Sequence, residues 1–287
     1  MLELISEHAC FGGVQRFYRH ASSAIGLPMR FSVFLPPQAQ YDQVPALFYL
    51  AGLTCTEETF ATKAGAQRYA AQVGLMLIAP DTSPRGASVA GEADNWDLGV
   101  GAGFYVDATQ SPWSRHYRMY SYVLELHALV REHFGIKPDS IGIMGHSMGG
   151  HGALVLALRN PNLFRSVSAL APICAPSYCP WGEKAFAVYL GNQASAWAAY
   201  DACALLARQH KPFPNGILVD QGLADKFLAE QLNPQMLESA CRKAEQPLQL
   251  RRHARYDHGY YFIATVIEDH IRFHQKLLAV PSATGSS

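Results

Sequence analysis

The sequence predicts an α/β fold with a mainly parallel central sheet, helices on both faces and an antiparallel N-terminal edge. Three observations lead there. From about residue 45 onward, short apolar runs alternate with helical patterns, the alternation that builds a parallel sheet. Before that point Phe31, Val33 and Leu35 alternate with neighbours of other character, as in a half-buried antiparallel strand. The chain has 287 residues, 49% of them hydrophobic, enough for one large core that holds its shape without staples.

The elements follow in order. The first two strands are expected to form a hairpin at one sheet edge. Ala46–Leu50 reads as a buried strand, Thr59–Val73 as a helix and Leu75–Ala79 as the next strand, ending at Pro80. Tyr117–Phe134 is a long helical pattern with Gly135 placed to stop it. The run Ile141–Met144 is a strand, Gly150–Leu158 a helix and Ser166–Leu170 a strand. Gly216–Asp220 is a strand, Leu232–Ala244 a helix, Leu248–Arg251 the last strand and Tyr260–Leu278 the final helix. Two stretches read as irregular, 81–114 and 172–214, and connections that long are usually functional. Gly99, Gly101 and Gly103 lack the spacing and the flanking strand of a phosphate loop. A single domain over 1–280 with a flexible tail over 281–287 is expected.

Composition excludes some classes. Lys plus Arg equals Asp plus Glu, 23 each, so neither nucleic acid nor an anionic membrane surface is an expected partner. The first residues carry no basic and apolar export pattern, and no run approaches the ~18 apolar residues of a spanning helix. Six scattered cysteines, Cys10, Cys55, Cys174, Cys179, Cys203 and Cys241, show no metal-type spacing, and reduced thiols in the cytoplasm are expected.

The chemistry is carried by Gly145-His146-Ser147-Met148-Gly149. It lies between a predicted strand and a predicted helix, the context in which a G-x-S-x-G serine becomes a nucleophile. Such a turn strains Ser147, and larger side chains at Gly145 and Gly149 would strike the flanking strand and helix. The Met148 N–H, at a helix start, is placed to hold an oxyanion.

A serine hydroxyl needs a base, and the base needs an acid to fix its tautomer, in the chain order Ser, Asp or Glu, His. Among twelve histidines, His258 follows the last strand by a short loop and directly precedes the final helix, where the base belongs. His146 is expected to point away from the serine, and His151 to serve packing or hydrogen bonding. His253 falls at the end of the last strand. His270 and His274 are expected on a solvated helix face rather than at a metal. Asp225, in the loop after the strand ending at Asp220, is the expected acid. Asp220 sits too early to reach over, and Asp257 is expected in a loop or capping role. The second oxyanion donor is expected from the loop after the first central strand, at the N–H of Leu53. Cys55 lies in the same loop, as a small buried residue or a modulating thiol.

Blocks along the chain carry more. They include LAGLTCTEETF from residue 50, IAPDTSPRG from 78, WDLGVGAGFYVDAT from 96, GHSMGGHGAL from 145, CPWGEKAF from 179, DQGLADKFL from 220 and YDHGYYFIATVIEDHIRFH from 256. In this order and spacing the chain closely resembles the S-formylglutathione hydrolases, the esterase D family, from about residue 8 to residue 278. The resemblance implies a cytoplasmic, cofactor-free α/β-hydrolase, often dimeric. It implies hydrolysis of S-formylglutathione to formate and glutathione in formaldehyde detoxification, and action on simple carboxylic esters. Matching the family's motifs places nucleophile, acid and base at Ser147, Asp225 and His258, the positions chain order had already selected. A formyl group needs only a small acyl pocket, which Trp181, Leu53 or Met148 is expected to narrow. Arg85, Lys63 and Lys226 are candidates to meet the carboxylates of glutathione, and Glu57-Glu58 carries no reading. Three alternatives stand beside this one: a carboxylesterase of broad scope, an acyltransferase, and a scaffold protein on an inactive hydrolase fold.

Overall fold

The computed structural model describes residues 2–279, so the tail expected over 281–287 lies outside the described residues. The elements run β1 (Leu2–Cys10), β2 (Gly13–Ala21), β3 (Pro28–Leu35), β4 (Val44–Leu50), α1 (Glu57–Lys63), α2 (Ala66–Val73), β5 (Met76–Pro80), α3 (Met119–His133), β6 (Ile136–His146), α4 (Met148–Arg159), β7 (Ser166–Leu170), α5 (Pro180–Leu190), α6 (Ala194–Ala198), α7 (Ala202–Arg208), β8 (Ile217–Gly222), α8 (Pro234–Lys243), β9 (Leu248–His253) and α9 (Tyr260–Leu278).

One sheet holds all nine of these strands, in the order β1-β2-β3-β5-β4-β6-β7-β8-β9. Pairing is antiparallel from β1 to β5 and parallel from β5 to β9, as the pattern before and after residue 45 predicted. The β1–β2 hairpin turns at Phe11 and Gly12, both at positive φ (48° and 75°), the geometry of a tight hairpin turn.

The sheet reverses winding direction at β4. Its crossover through α1 and α2 leads to β5 on one side, whereas β6 flanks it on the other. Leu50 pairs with Gly145 at the C-terminal ends of β4 and β6. The loops after these two strands therefore leave the sheet side by side, at the switch point where α/β sheets bind ligands. On the far side, Leu170 pairs with both His146 and Asp220, and Gly222 pairs with His253. The loops after β8 and β9 thus emerge at the same edge.

The structure departs from the sequence reading in three places. The helix expected over 59–73 is two helices, because Gly65 adopts φ 66° between them. The stretch 172–214 holds three helices, α5, α6 and α7. Pro180 starts α5 at a position whose N–H has no helical partner anyway, so a residue read as a loop signal opens a helix. The third departure is at His270 and His274. Both are fully buried, and α9 lays them on β7 and β8.

His270 Nε2 lies 3.1 Å from Asp220 Oδ2, and its Nδ1 lies 2.8 Å from Ser168 Oγ. Ser168 Oγ is also 2.8 Å from His274 Nε2, whose Nδ1 meets Ser166 Oγ at 2.6 Å. A carboxylate only accepts, so His270 donates to Asp220, and the hydroxyls of Ser168 and Ser166 carry the hydrogen-bond chain on through His274. Asp220 also accepts from Arg251 of β9 at both oxygens. Those contacts hold its carboxyl well below the usual range, with His270 first among them, against the opposing effect of burial. The carboxylate therefore joins β8, β9 and α9 beneath the edge where the catalytic loops emerge.

Candidate active site

Ser147 sits between β6 and α4 at φ 57°, ψ −120°, strain that a non-glycine residue bears only where the surroundings enforce it. They do. Its N–H donates to Leu170 O at 3.0 Å, and its carbonyl accepts from His151 and Ile173. A Cβ on Gly149 would lie 1.9 Å from Leu50 O, and one on Gly145 would lie 2.1 Å from Gly149 O, so both elbow glycines are required as expected.

His258 stands opposite. Its Nδ1 donates to Asp225 Oδ2 at 2.5 Å. Asp225 is buried and also accepts from Gln221 Nε2 at 3.4 Å and from the Phe227 N–H at 2.9 Å. With Nδ1 committed, Nε2 is the ring nitrogen left to take a proton. The two loops are joined as well: Leu223 N–H donates to His253 O and Ala224 N–H to Tyr256 O. Asp257 accepts from the Gly259 N–H at 2.9 Å, the expected loop role.

Ser147 and His258 line one pocket of about 110 Å³. Leu53 and Cys55 contribute from the loop after β4, and Trp181 from α5. That loop turns back on itself through Cys55 N–H to Gly52 O, is held by Thr54 N–H to Gly101 O, and ends in the Thr56 cap of α1. Met148 is the first residue of α4 and is fully buried. Cys55 is half-buried, and burial raises its thiol pKa. This pocket, which brings Ser147 and His258 together, is the candidate site, although a wider cleft of about 550 Å³ exists between Gln38, Val73, Lys137 and Gln275. That cleft lies at the opposite ends of β4, β5 and β6 and contains neither a serine elbow nor an imidazole. Among the described residues no cluster of His, Cys, Asp and Glu has the form of a metal site.

Three pocket residues were missed or misplaced by the sequence reading. His146 does not point away: its buried ring lies against His258 and lines the pocket. Phe227 meets His258 edge-on at 5.1 Å and Trp181 at 4.6 Å. Trp96 packs edge-on against Trp181 at 5.5 Å. Phe227 stands two residues after Asp225, and Trp96 opens one of the long quoted blocks, so both carried a signal. Of the three cationic candidates, Arg85 is held by Asp81 and by the Cys55 carbonyl. Glu57, previously without a reading, is a buried carboxyl whose pKa burial raises, with Arg30 4.0 Å away.

The fold and geometry agree with known proteins. A family model described as "Putative esterase" matches residues 22–273. The S-formylglutathione hydrolase of Rattus norvegicus is 52% identical over 279 residues, covering 96% of this chain and 99% of that protein.

The chain belongs to the S-formylglutathione hydrolase family of esterases.

The Mus musculus S-formylglutathione hydrolase matches equally, at 52% identity over the same shares. A solved S-formylglutathione hydrolase from Agrobacterium tumefaciens superposes with a TM-score of 0.93 at 46% identity, covering 96% of this chain and 99% of that one. The Staphylococcus aureus serine hydrolase FphF, at 22% identity and a TM-score of 0.74, shares the α/β fold. Within the described residues no helix is long and apolar enough to cross a membrane.

Proposed function

We propose that this protein is a serine thioesterase that hydrolyses S-formylglutathione to formate and glutathione, with Ser147 as nucleophile, His258 as base and Asp225 as the acid that orients it. One observation carries the reading. In a chain 52% identical to an S-formylglutathione hydrolase, the strained Ser147 shares a 110 Å³ pocket with an imidazole whose other nitrogen is tied to a buried carboxylate.

His258 Nε2 takes the Ser147 proton as the hydroxyl oxygen bonds to the formyl carbon. The carbonyl oxygen becomes an oxyanion held by the N–H groups of Leu53 and Met148. The C–S bond breaks and glutathione leaves as a thiolate, which receives the proton from His258. Water then attacks the formyl ester, giving its proton to His258, and formate leaves as Ser147 regains its hydrogen. Asp225 holds the ring and stabilises its protonated form in both halves. Leu53, Cys55 and Trp181 bound a pocket whose small volume suits an acyl group of a single carbon.

Short-chain carboxylic esters are substrates of the same site, since the acyl half-reaction is indifferent to the leaving group. The test compares kcat/KM for S-formylglutathione with that for p-nitrophenyl acetate. Preference for the thioester supports the reading; a large preference for the ester returns the protein to the broad carboxylesterases. The reading extends to a cytoplasmic homodimer without cofactor. All six cysteines are free thiols, in keeping with a reducing compartment, and the dimer rests on the family resemblance. Sedimentation equilibrium tests it, and a monomer at micromolar concentration would exclude it.

A further inference from the structure

We infer that Lys63 and Lys226 form a two-armed carboxylate subsite at the pocket mouth, one for each arm of the glutathione leaving group. The inference rests on the thioesterase reading above.

The pocket accounts for the acyl group and the sulfur, and 110 Å³ leaves no room for a tripeptide. The peptide must lie on the rim. Glutathione carries its sulfur on the middle residue, and from there two arms diverge, each ending in a carboxylate. A rim that recognises it needs a cation on either side of the sulfur position.

The rim offers that arrangement. Lys63, at the end of α1, holds its Nζ 5.8 Å from the centre of the Tyr260 ring. Tyr260 lies 6.1 Å, ring centre to ring centre, from His146, which lines the pocket. Lys226, next to Asp225, holds its Nζ 4.9 Å from the ring of Phe227, another lining residue. One cation thus stands beside the wall lined by His146, and the other flanks the wall built by the loop after β8. Both lysines are exposed, and neither has an ion-pair partner among the described residues. Other cations near the site are engaged: Arg85 with Asp81, Lys184 with Asp97. Asp225, beside Lys226, is committed to His258.

The experiment compares S-formylglutathione with its diethyl ester, which has the same thioester and neither carboxylate charge. The wild type is expected to favour the free acid about tenfold in kcat/KM, from two partly exposed ion pairs of about threefold each. Lys63→Gln and Lys226→Gln each lower that ratio about threefold through KM. The double variant brings it near one, Lys→Arg at both positions restores it, and Lys63→Glu with Lys226→Glu inverts it. Raising ionic strength from low to high erodes the ratio in the wild type but not in the double Gln variant. A double Gln variant with the wild-type ratio overturns the subsite while leaving the thioesterase reading intact. A wild type that fails to favour S-formylglutathione over p-nitrophenyl acetate overturns that reading, and this subsite with it. Urea midpoints verify that the variants are folded.

Discussion

The imidazole of His146 lies 4.5 Å from that of His258, centre to centre, with the two planes 44° apart. Burial, reinforced by the neighbouring ring, pushes the His146 pKa well below its ordinary value. His146 is therefore a neutral wall behind the ring proposed as the base. Phe in its place is expected to keep kcat/KM for p-nitrophenyl acetate within about threefold, with the acid limb still a single titration. Ala frees the His258 ring to tilt, and even small misplacement of a catalytic group is costly; a fall of about tenfold or more is expected. A pH–rate profile of both variants checks this.

Loss of the nucleophile has a larger effect. Ser147→Ala is expected to lower kcat on the order of 10⁶, as triad deletions do, and Asp225→Asn about 10⁴ through loss of the correct tautomer. Steady-state kinetics measure both. Retention of most thioesterase activity by Ser147→Ala would falsify the assignment.

Asp220 is expected to matter for stability. Asp220→Ala leaves the Arg251 guanidinium without its bidentate partner and His270 with an unmet donor, both beneath the catalytic edge. Arg251 is part-exposed and keeps Asp269, so the cost falls mainly on the unmet buried donor of His270, about 1–3 kcal/mol, with Ser168→Ala, which removes the hydroxyl between the two rings, in the same range. Urea denaturation measures the two costs.

Stability should fall on mild acidification. His146 and His274 are held neutral well below their ordinary pKa, and His151 is lowered to about 4, in each case by burial first. The unfolded chain binds protons at these rings from about pH 6.5 downward, while the folded chain does not. Their contribution is thus fully present above pH 6.5 and is lost as pH falls toward the folded values, by up to about 1.4 kcal/mol per pH unit for each ring. The urea midpoint should be flat from pH 7 to 8 and decline from pH 6.5 to 4. A midpoint constant across the acid range would contradict this account.

Much of the site was legible because its chemistry constrains local sequence. Gly145 and Gly149 mark the elbow through steric necessity, and the short loop before α9 leaves one natural position for His258. The final helix was read with its observed limits, since its apolar period is long. The same period held information that was not used. Ile263, Ile267, His270 and His274 fall at intervals of four, three and four, so the two histidines continue the buried stripe. Polar identity was taken as exposure, and only the hydroxyls of Ser166 and Ser168, over a hundred residues away in the chain, reverse that inference. Within 172–214, α5 was hidden by Pro180, which opens the helix, and α6 and α7 are too short to show a clear apolar period. Trp96 and Phe227 stood in or beside quoted motifs, but their place in the pocket comes from tertiary packing against Trp181 and His258.

The winding reversal at β4 also has a temporal meaning. The groups at 53, 147, 225 and 258 stand after β4, β6, β8 and β9, and the proposed base lies between the last two elements, β9 and α9. During synthesis the nascent polypeptide can display the serine elbow long before an imidazole exists to activate it. Under the proposed mechanism, a chain that has not yet reached residue 258 has no imidazole to serve its serine.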